Sequence, residues 1–164
     1  MCIRSYLRER RVSFEALLHR PASSATQRAR SLHVAGSRVA KGVLLRTPGG
    51  YVLAVVPATH RIDLPRLAEV LRVGELRLAT EDEVGAVFRD CERGALPPFG
   101  RPYGLPTVVD SALAAGPEVV LEGNTRHEGF RLRFRDYEAI ESPRLARFSE
   151  PIAPRRRRPS RRAG

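Results

Sequence analysis

The sequence predicts an α+β fold in which helices flank a mixed, strongly twisted, barrel-like β-sheet. Three observations support this prediction. Helix and strand patterns are mixed without a regular strand–helix–strand repeat. One hairpin is almost continuously apolar, as in strands covered on both faces. Hydrophobic residues make up 42% of the 164 positions, which suffices for one core. We therefore expect one domain over residues 1–150, followed by a disordered tail over 151–164.

The N-terminal half contains two predicted helices, a short strand and the hairpin. Ser24 and Gln27 form a capping-box pattern at the start of the second helix. The hairpin turns at Thr47-Pro48-Gly49-Gly50, where glycine and proline favour a tight reversal. The predicted elements are helices over 3–11 and from 24 to about 32, a strand over 14–19, and hairpin strands over 38–46 and 51–56.

The C-terminal half continues with short elements of both kinds. Asp63 can cap a helix that has Pro65 in its first turn. Thr80 and Glu83 form a second capping box, which opens a helix through about Phe88. The remaining predictions are strands over 76–79, 107–110, 118–122 and 130–134, and a last short helix from Asp136.

A long loop over residues 93–106 interrupts this order. It contains four prolines and three glycines: Pro97, Pro98, Pro102, Pro106, Gly94, Gly100 and Gly104. Glycine lets backbone groups approach a ligand closely, and proline fixes the backbone in one shape. Loops of this length in a compact domain are usually functional or disordered, and the proline density favours an ordered loop. The alternative is that the loop only connects two strands.

The charge of the chain indicates a polyanionic partner. The net charge is +11, and six arginines of the tail account for part of it, so the remainder carries +5. Nucleic acid is the commonest polyanion that such a surface binds. The tail can also be inert, because arginine-rich termini are common in arginine-biased chains.

The cysteines and the N-terminus indicate a cytoplasmic protein. Cys2 and Cys91 lack a C-x-x-C spacing, so we expect free thiols in a reducing compartment. The first eleven residues are too charged for a signal peptide, and no apolar run approaches the length of about 18 that a membrane span requires. We expect no membrane association.

Lys41 is the first candidate for a functional side chain. It is the only lysine, whereas the other 28 of the 29 basic residues are arginine. An ammonium group is compact and can shift its pKa, whereas guanidinium is planar and permanently charged. The apolar flanks place Lys41 on a strand of a packed sheet. The alternative is that a single lysine survives by chance.

The histidines and Cys91 are weaker candidates. His19 and His33 flank the second helix and fit surface or capping positions. His60 follows the hairpin and has a possible substrate-side role in a turn. His127 lies in a glycine-containing turn over 123–129 and is the histidine best placed for function. Cys91 has no partner that marks a nucleophile, so it fits a buried thiol.

Four segments together resemble the YbaK / prolyl-tRNA synthetase editing-domain family, over roughly residues 1–141. They occur in the family's order: Val39-Ala40-Lys41, Leu53-Ala54-Val55-Val56-Pro57-Ala58, Leu76-Arg77-Leu78-Ala79-Thr80-Glu81-Asp82-Glu83 and Gly94-Ala95-Leu96-Pro97-Pro98-Phe99-Gly100. The resemblance implies a YbaK-like fold. It also implies hydrolysis of the ester that joins a wrong amino acid to the tRNA 3′ end.

The resemblance assigns roles to residues of this chain. A strand lysine faces a G-x-x-x-P loop in the family, which gives Lys41, Gly94 and Pro98 as catalytic residues. The implied substrate-binding residues are Leu96, Pro97, Phe99, Gly100, Gly123, Asn124, His127 and His60. No metal, cofactor or covalent nucleophile is expected, because an ester is labile and can be hydrolysed through positioning and carbonyl polarisation.

Two features depart from the family pattern. Gly42 stands where some members have Asn or Thr after the lysine, so a side-chain contact from that position is lost. The turn over 123–127 follows the family's glycine-and-basic turn only loosely, which weakens the roles of Asn124 and His127.

Two functions remain open from the sequence. The first is a trans-editing deacylase that acts on tRNA mischarged with a small residue such as alanine, cysteine or serine. Its partners would be tRNA and, as a further candidate, an aminoacyl-tRNA synthetase, and we expect a monomer. The second is a non-catalytic RNA-binding or regulatory module that retains the fold.

Overall fold

The computed structural model describes residues 1–153. The predicted α+β class with a mixed sheet is confirmed, although the strands form three sheets and not one closed barrel. The helices are α1 (Ile3–Glu9), α2 (Ala25–Ser31), α3 (Leu64–Leu71), α4 (Glu81–Val87) and α5 (Phe134–Glu141). The strands are β1 (Glu15–Leu18), β2 (Ala40–Thr47), β3 (Gly50–Pro57), β4 (His60–Ile62), β5 (Arg77–Leu78), β6 (Thr107–Asp110), β7 (Glu118–Glu122), β8 (Glu128–Arg133), β9 (Arg144–Ala146) and β10 (Ser149–Pro151).

The largest sheet has five strands in the order β5-β2-β3-β6-β9. The predicted hairpin forms its centre, with β2 and β3 antiparallel. β3 pairs with β6 in parallel, and β6 pairs with β9 in parallel, which makes the sheet mixed. β3 is buried from Val52 to Pro57, as its continuous apolar run predicts, whereas several residues of β2 are only half-buried.

Two small sheets adjoin this one. β7, β8 and β1 form an antiparallel sheet, and β4 pairs with β10. β7 touches the start of β2 through an isolated parallel bridge between Val39 and Val120. The two strands do not pair beyond this bridge, so β2 and β7 separate near Lys41 and Gly42.

The two faces of β2 belong to different hydrophobic clusters. Ala40 and Leu44 pack with Phe99 in the larger cluster, whereas Leu45 packs with Val56 in the second. Side chains alternate between faces along a strand. Even-numbered residues of β2 therefore face the larger cluster, and odd-numbered residues face the other side.

Local signals predicted several helix starts correctly. Ser24 Oγ accepts a hydrogen bond from Gln27 N at 3.1 Å. Thr80 and Glu83 make both bonds of the capping box. The last helix begins at Phe134 and not at Asp136, and its start has no side-chain cap that the sequence could reveal. None of the helices in residues 1–153 has the length and apolar character that crossing a bilayer requires.

The C-terminal boundary differs by a few residues from the predicted one. Pro151 belongs to β10, and the Ile152 N–H donates to Thr59 O at 2.8 Å. The predicted tail over 151–164 therefore begins inside an ordered strand. The remainder of the tail prediction, residues 154–164, lies outside the described residues.

Candidate functional site

The loop that carries the G-x-x-x-P pattern lies directly on β2 at Gly42. A Cβ atom at Gly42 would lie 2.5 Å from Leu96 Cδ2 and 3.5 Å from Pro98 Cα. The missing side chain therefore makes room for Leu96. This packing gives a physical reason why Gly42 departs from the family pattern. Leu96 of the loop occupies the space that a side chain at position 42 would need.

The C-terminal part of the loop is anchored to α5. Tyr137 Oη donates to Pro98 O at 2.6 Å, and Glu141 Oε1 accepts from the N–H of Gly100 at 2.6 Å and of Arg101 at 2.9 Å. Burial raises the pKa of Glu141, although these hydrogen bonds oppose the shift. Sequence reasoning did not single out Tyr137 or Glu141. Their only signal is that they are four residues apart on one helix.

A buried ion pair anchors the middle of the loop. Glu122 Oε2 accepts from Leu96 N at 3.2 Å, and Glu122 Oε1 pairs with the Arg28 guanidinium of α2. Burial raises the pKa of Glu122 to about 7, and the charge of Arg28 opposes this shift. Sequence reasoning did not single out Glu122, because one acidic residue at a strand end carries no local signal.

The outer side of the loop borders a cavity of about 870 Å³. Gly94 lines it and has φ of +90°, a conformation that favours glycine. Within residues 1–153 the Gly94 N–H has no hydrogen-bond partner. The wall combines apolar side chains such as Phe88 and Leu96 with charged ones such as Glu92 and Arg126.

Lys41 does not face this loop. Lys41 and Gly42 are neighbours on β2, so their side chains leave on opposite faces, and the loop covers the Gly42 face. Lys41 Nζ donates to His60 O at 3.0 Å. The expected arrangement of a lysine pointing at the G-x-x-x-P loop is corrected in this respect, because the loop packs on the even-numbered side of the strand.

The environment of Lys41 leaves its charge uncompensated. Burial lowers the pKa of the half-buried amine. Among the described residues no carboxylate forms a salt bridge with it. The structure therefore brings Lys41 and His60 together on one face of the sheet, and places Gly94, Leu96 and Pro98 across the other.

Three predicted substrate-binding residues of the loop lie inside the protein. Phe99 is fully buried and packs edge-on against Tyr6 and Tyr137. Gly100 is buried with its N–H bonded to Glu141. Pro97 is buried, and its carbonyl accepts from Phe99 N at 2.8 Å. These three residues pack in the interior and hold the loop in place. Phe99 therefore offers no stacking face to a ligand.

The turn after β7 is likewise held by structural contacts. Asn124 Oδ1 accepts from Ile3 N at 2.7 Å, and Asn124 Nδ2 donates to Met1 O at 2.9 Å. Gly123 is buried, and a Cβ there would lie 2.9 Å from Phe130 Cε2. The side-chain amide of Asn124 is thus occupied by the N-terminal segment.

His127 is exposed, and its described bond is a backbone one, from His19 N to its carbonyl at 3.0 Å. Cys91 lines the cavity as a half-buried thiol whose pKa is raised by burial. The thiol that the sequence predicted to be buried is therefore only half-buried. Residues 1–153 contain no group of three His, Cys, Asp or Glu side chains that could hold a metal ion.

The edge of β2 beside the loop is open. Leu44 O points away from β3, because it accepts from Ala79 N at 2.9 Å. Since backbone groups alternate in direction along a strand, the N–H and C=O of Gly42 point to the same edge. Pairing with β5 involves Leu45 and Arg46, and the bridge to β7 lies at Val39. In the part of the chain that the structure describes, both Gly42 groups are left without a partner.

We predict that Gly42→Ala destabilises the loop through collision with Leu96. The new methyl group would lie 2.5 Å from Leu96 Cδ2, and we expect a loss of about 1–3 kcal/mol in the free energy of unfolding. Adding Leu96→Ala should recover much of this loss. Urea unfolding of the two single variants and the double variant gives the coupling, and additive effects would contradict the contact.

A sequence model of the family described as the aminoacyl-tRNA editing domain matches residues 19–140. The chain belongs to this family. The resemblance inferred from the four sequence segments is confirmed. The match includes Lys41, the loop and the turn after β7, and it omits α1, β1, the last residue of α5, β9 and β10.

Known relatives agree with the assignment to the editing-domain family. A proline–tRNA ligase of Xanthomonas oryzae pv. oryzae is 34% identical over 96 residues, which cover 58% of this chain and 17% of the ligase. The ligase of Geobacillus thermodenitrificans is 33% identical over 84 residues, or 51% of this chain and 15% of the ligase. The chain thus spans about a sixth of the length of these relatives.

A solved structure extends the comparison over most of the fold. The crystal structure of a candidate trans-editing enzyme for prolyl-tRNA synthetase has a TM-score of 0.77 and 25% identity, covering 90% of this chain and 94% of that one. This editing-domain protein therefore shares its fold with a protein of comparable extent.

Proposed function

We propose that the chain is a trans-editing aminoacyl-tRNA deacylase that acts on tRNA mischarged with a small amino acid such as alanine, cysteine or serine. The observation that carries the proposal is the construction of the loop. Its inner groups are fixed by Tyr137, Glu141 and Glu122, and its outer backbone borders a cavity of about 870 Å³. A rigid ring of backbone groups is suited to orient an ester.

The proposed reaction is hydrolysis by water. The water oxygen bonds to the ester carbonyl carbon, and the carbonyl oxygen becomes an oxyanion. The bond from that carbon to the ribose oxygen then breaks, and the proton lost by the water passes to the ribose oxygen. The products are the free amino acid and the tRNA 3′-terminal hydroxyl. Positioning and oxyanion stabilisation supply the acceleration, without a covalent nucleophile.

The open edge of β2 reconciles this reaction with the position of Lys41. The terminal nucleotide would lie on the face of Lys41 and His60, and the aminoacyl group would pass around the edge at Gly42 to reach the loop. Lys41 would then bind an anionic or hydroxyl oxygen of the nucleotide. The half-buried Lys41 amine is less hydrated than an exposed one. This favours such a contact, because charges interact more strongly away from water.

A panel of mischarged tRNAs tests the proposal. We expect the purified protein to hydrolyse at least one of alanyl-, cysteinyl- and seryl-tRNA at least about 100-fold faster than the uncatalysed rate. Correctly charged prolyl-tRNA, with a bulkier ring, is the matched control and should remain intact. If none of the tRNAs in the panel loses its amino acid, the deacylase proposal is contradicted.

The alternative, a non-catalytic RNA-binding module, has one observation in its favour. Lys41 and the loop lie on opposite faces of β2, so a single small ligand does not bridge them directly. This function predicts an electrophoretic shift of tRNA without hydrolysis. A synthetase partner, a monomeric state and a cytoplasmic location remain predictions from the sequence.

A further inference from the structure

The unpaired edge of β2 at Gly42 is a feature that the roles of the loop and of Lys41 do not account for. The Gly42 N–H and C=O point outward from the same residue, between the Val39 bridge to β7 and the β5 pairing that begins at Leu45. Ala79, which bonds Leu44 at this edge, and Leu96, which covers Gly42, both line the cavity. The cavity therefore reaches two neighbours of this edge, Ala79 and Leu96, whereas Gly42 itself is not among its lining residues.

The chemistry of this edge selects a particular kind of ligand. An outward-facing strand residue pairs with a group that offers one donor and one acceptor at the spacing of a peptide residue, as in a hydrogen-bonded antiparallel pair. An α-aminoacyl ester has this pattern, since its ammonium donates and its carbonyl oxygen accepts. A phosphate offers only acceptors and does not match this pattern.

We propose that Gly42 binds the aminoacyl group of the substrate as a one-residue extension of the sheet. The Gly42 C=O accepts from the α-ammonium, and the Gly42 N–H donates to the ester carbonyl oxygen. This inference rests on the proposed deacylase function and assigns the subsite that recognises the amino acid's backbone atoms.

The assignment has a consequence for the reaction. As water adds to the ester carbonyl carbon, negative charge develops on the oxygen that the Gly42 N–H contacts. A fixed backbone donor at that position stabilises the oxyanion, and removing such a donor elsewhere costs about 10²–10³ in rate. Because the strand fixes the donor, it needs no rearrangement during the reaction.

Glycine also fits the site for a second reason. A side chain at position 42 would collide with Leu96, whose Cδ2 is 2.5 Å from the Cβ position. Leu96 in turn closes the edge on one face of the strand. The amino-acid side chain of the substrate must then extend into the cavity beside Leu96 and Ala95.

The test uses a pair of variants that differ in one backbone donor. Leu96→Ala first makes room at position 42. Gly42→Pro and Gly42→Ala are then compared in the Leu96→Ala background, because proline lacks the N–H that alanine keeps. The substrate is the mischarged tRNA that the unmodified protein hydrolyses fastest. We expect the proline variant to be at least about 100-fold slower than the alanine variant.

A second arm requires no variant. The unmodified protein is given the desamino counterpart of the same ester, for example propionyl-tRNA in place of alanyl-tRNA, and each rate is divided by the uncatalysed rate of that ester. Loss of the charged donor to the Gly42 C=O should lower the acceleration at least about tenfold, the equivalent of one charge-assisted hydrogen bond.

The outcomes separate this inference from the proposed function. If the unmodified protein hydrolyses none of the aminoacyl-tRNAs, the proposed deacylase function is contradicted. Hydrolysis with equal acceleration of the desamino ester, or with a proline variant as fast as the alanine variant, overturns the role of Gly42 alone. If the proline variant does not fold in a thermal-unfolding control, the desamino arm decides the question.

Discussion

Lys41→Ala is expected to lower the rate of ester hydrolysis at least about 100-fold while leaving tRNA affinity and the fold nearly unchanged. The amine is half-buried, burial lowers its pKa, and its described hydrogen bond goes to His60 O. Truncation therefore removes a positioned cation without opening a core contact. Single-turnover deacylation with a saturating amount of protein measures the chemical step, and filter binding measures the affinity.

Lys41→Arg is the matched control for this prediction. It keeps the charge but replaces the compact ammonium with a planar guanidinium, so we expect it to lose most of the activity as well. Full activity of Lys41→Arg would mean that charge alone suffices. Full activity of Lys41→Ala would remove Lys41 from the mechanism, and its bond to His60 O would then serve only to hold β4.

Arg28→Met should cause the largest loss of stability, about 3–5 kcal/mol in the free energy of unfolding at pH 8. The substitution preserves an apolar stem of similar length but removes the cation that faces Glu122. Arg126 and the half-buried Cys91 are the other titratable groups near this carboxylate. An unpaired buried carboxylate would then remain beside the loop.

The pH dependence of this loss follows from Glu122. Burial raises its pKa in the folded state to about 7, above the ordinary 4.5, so ionisation opposes folding and stability falls as pH rises through this interval. Removing Arg28 removes the charge that limits the shift. Arg28→Met should therefore be much less destabilised at pH 5, where the carboxyl is protonated, than at pH 8.

Urea unfolding at the two pH values checks this prediction. The double variant Arg28→Met/Glu122→Gln is the control, because it has no carboxyl to ionise at this position. It should recover stability at pH 8 and show little difference between the two pH values. Equal destabilisation of Arg28→Met at pH 5 and pH 8 would show that Glu122 is not the responsible group.

Local sequence signals predicted those parts of the fold that depend on neighbouring residues. The hairpin was recognisable from its apolar strands and its Pro48-Gly49-Gly50 turn, and the capping pairs at Ser24 and Thr80 marked helix starts. β4, β9 and β10 were missed, because each has only three residues and shows no measurable period, and His60 lies in β4 and not in a turn.

The site was predicted less completely for the same physical reason. The sequence predicted that Lys41 faces the loop, whereas alternation along β2 places Lys41 and the loop-covered Gly42 on opposite faces. Which side the loop covers depends on long-range packing. The anchors Tyr137 and Glu122 lie far along the chain from β2, and only the folded structure brings them to the loop.

The anchoring of the loop by α1 and by the last residue of α5 has a consequence for engineering. Tyr6 of α1 packs against Phe99, and Glu141 closes α5, yet both fall outside residues 19–140 that define the family match. Transplanting only the matched segment into a host protein would carry over Lys41 and the G-x-x-x-P sequence but not the supports that shape the loop. A functional graft must include both flanks.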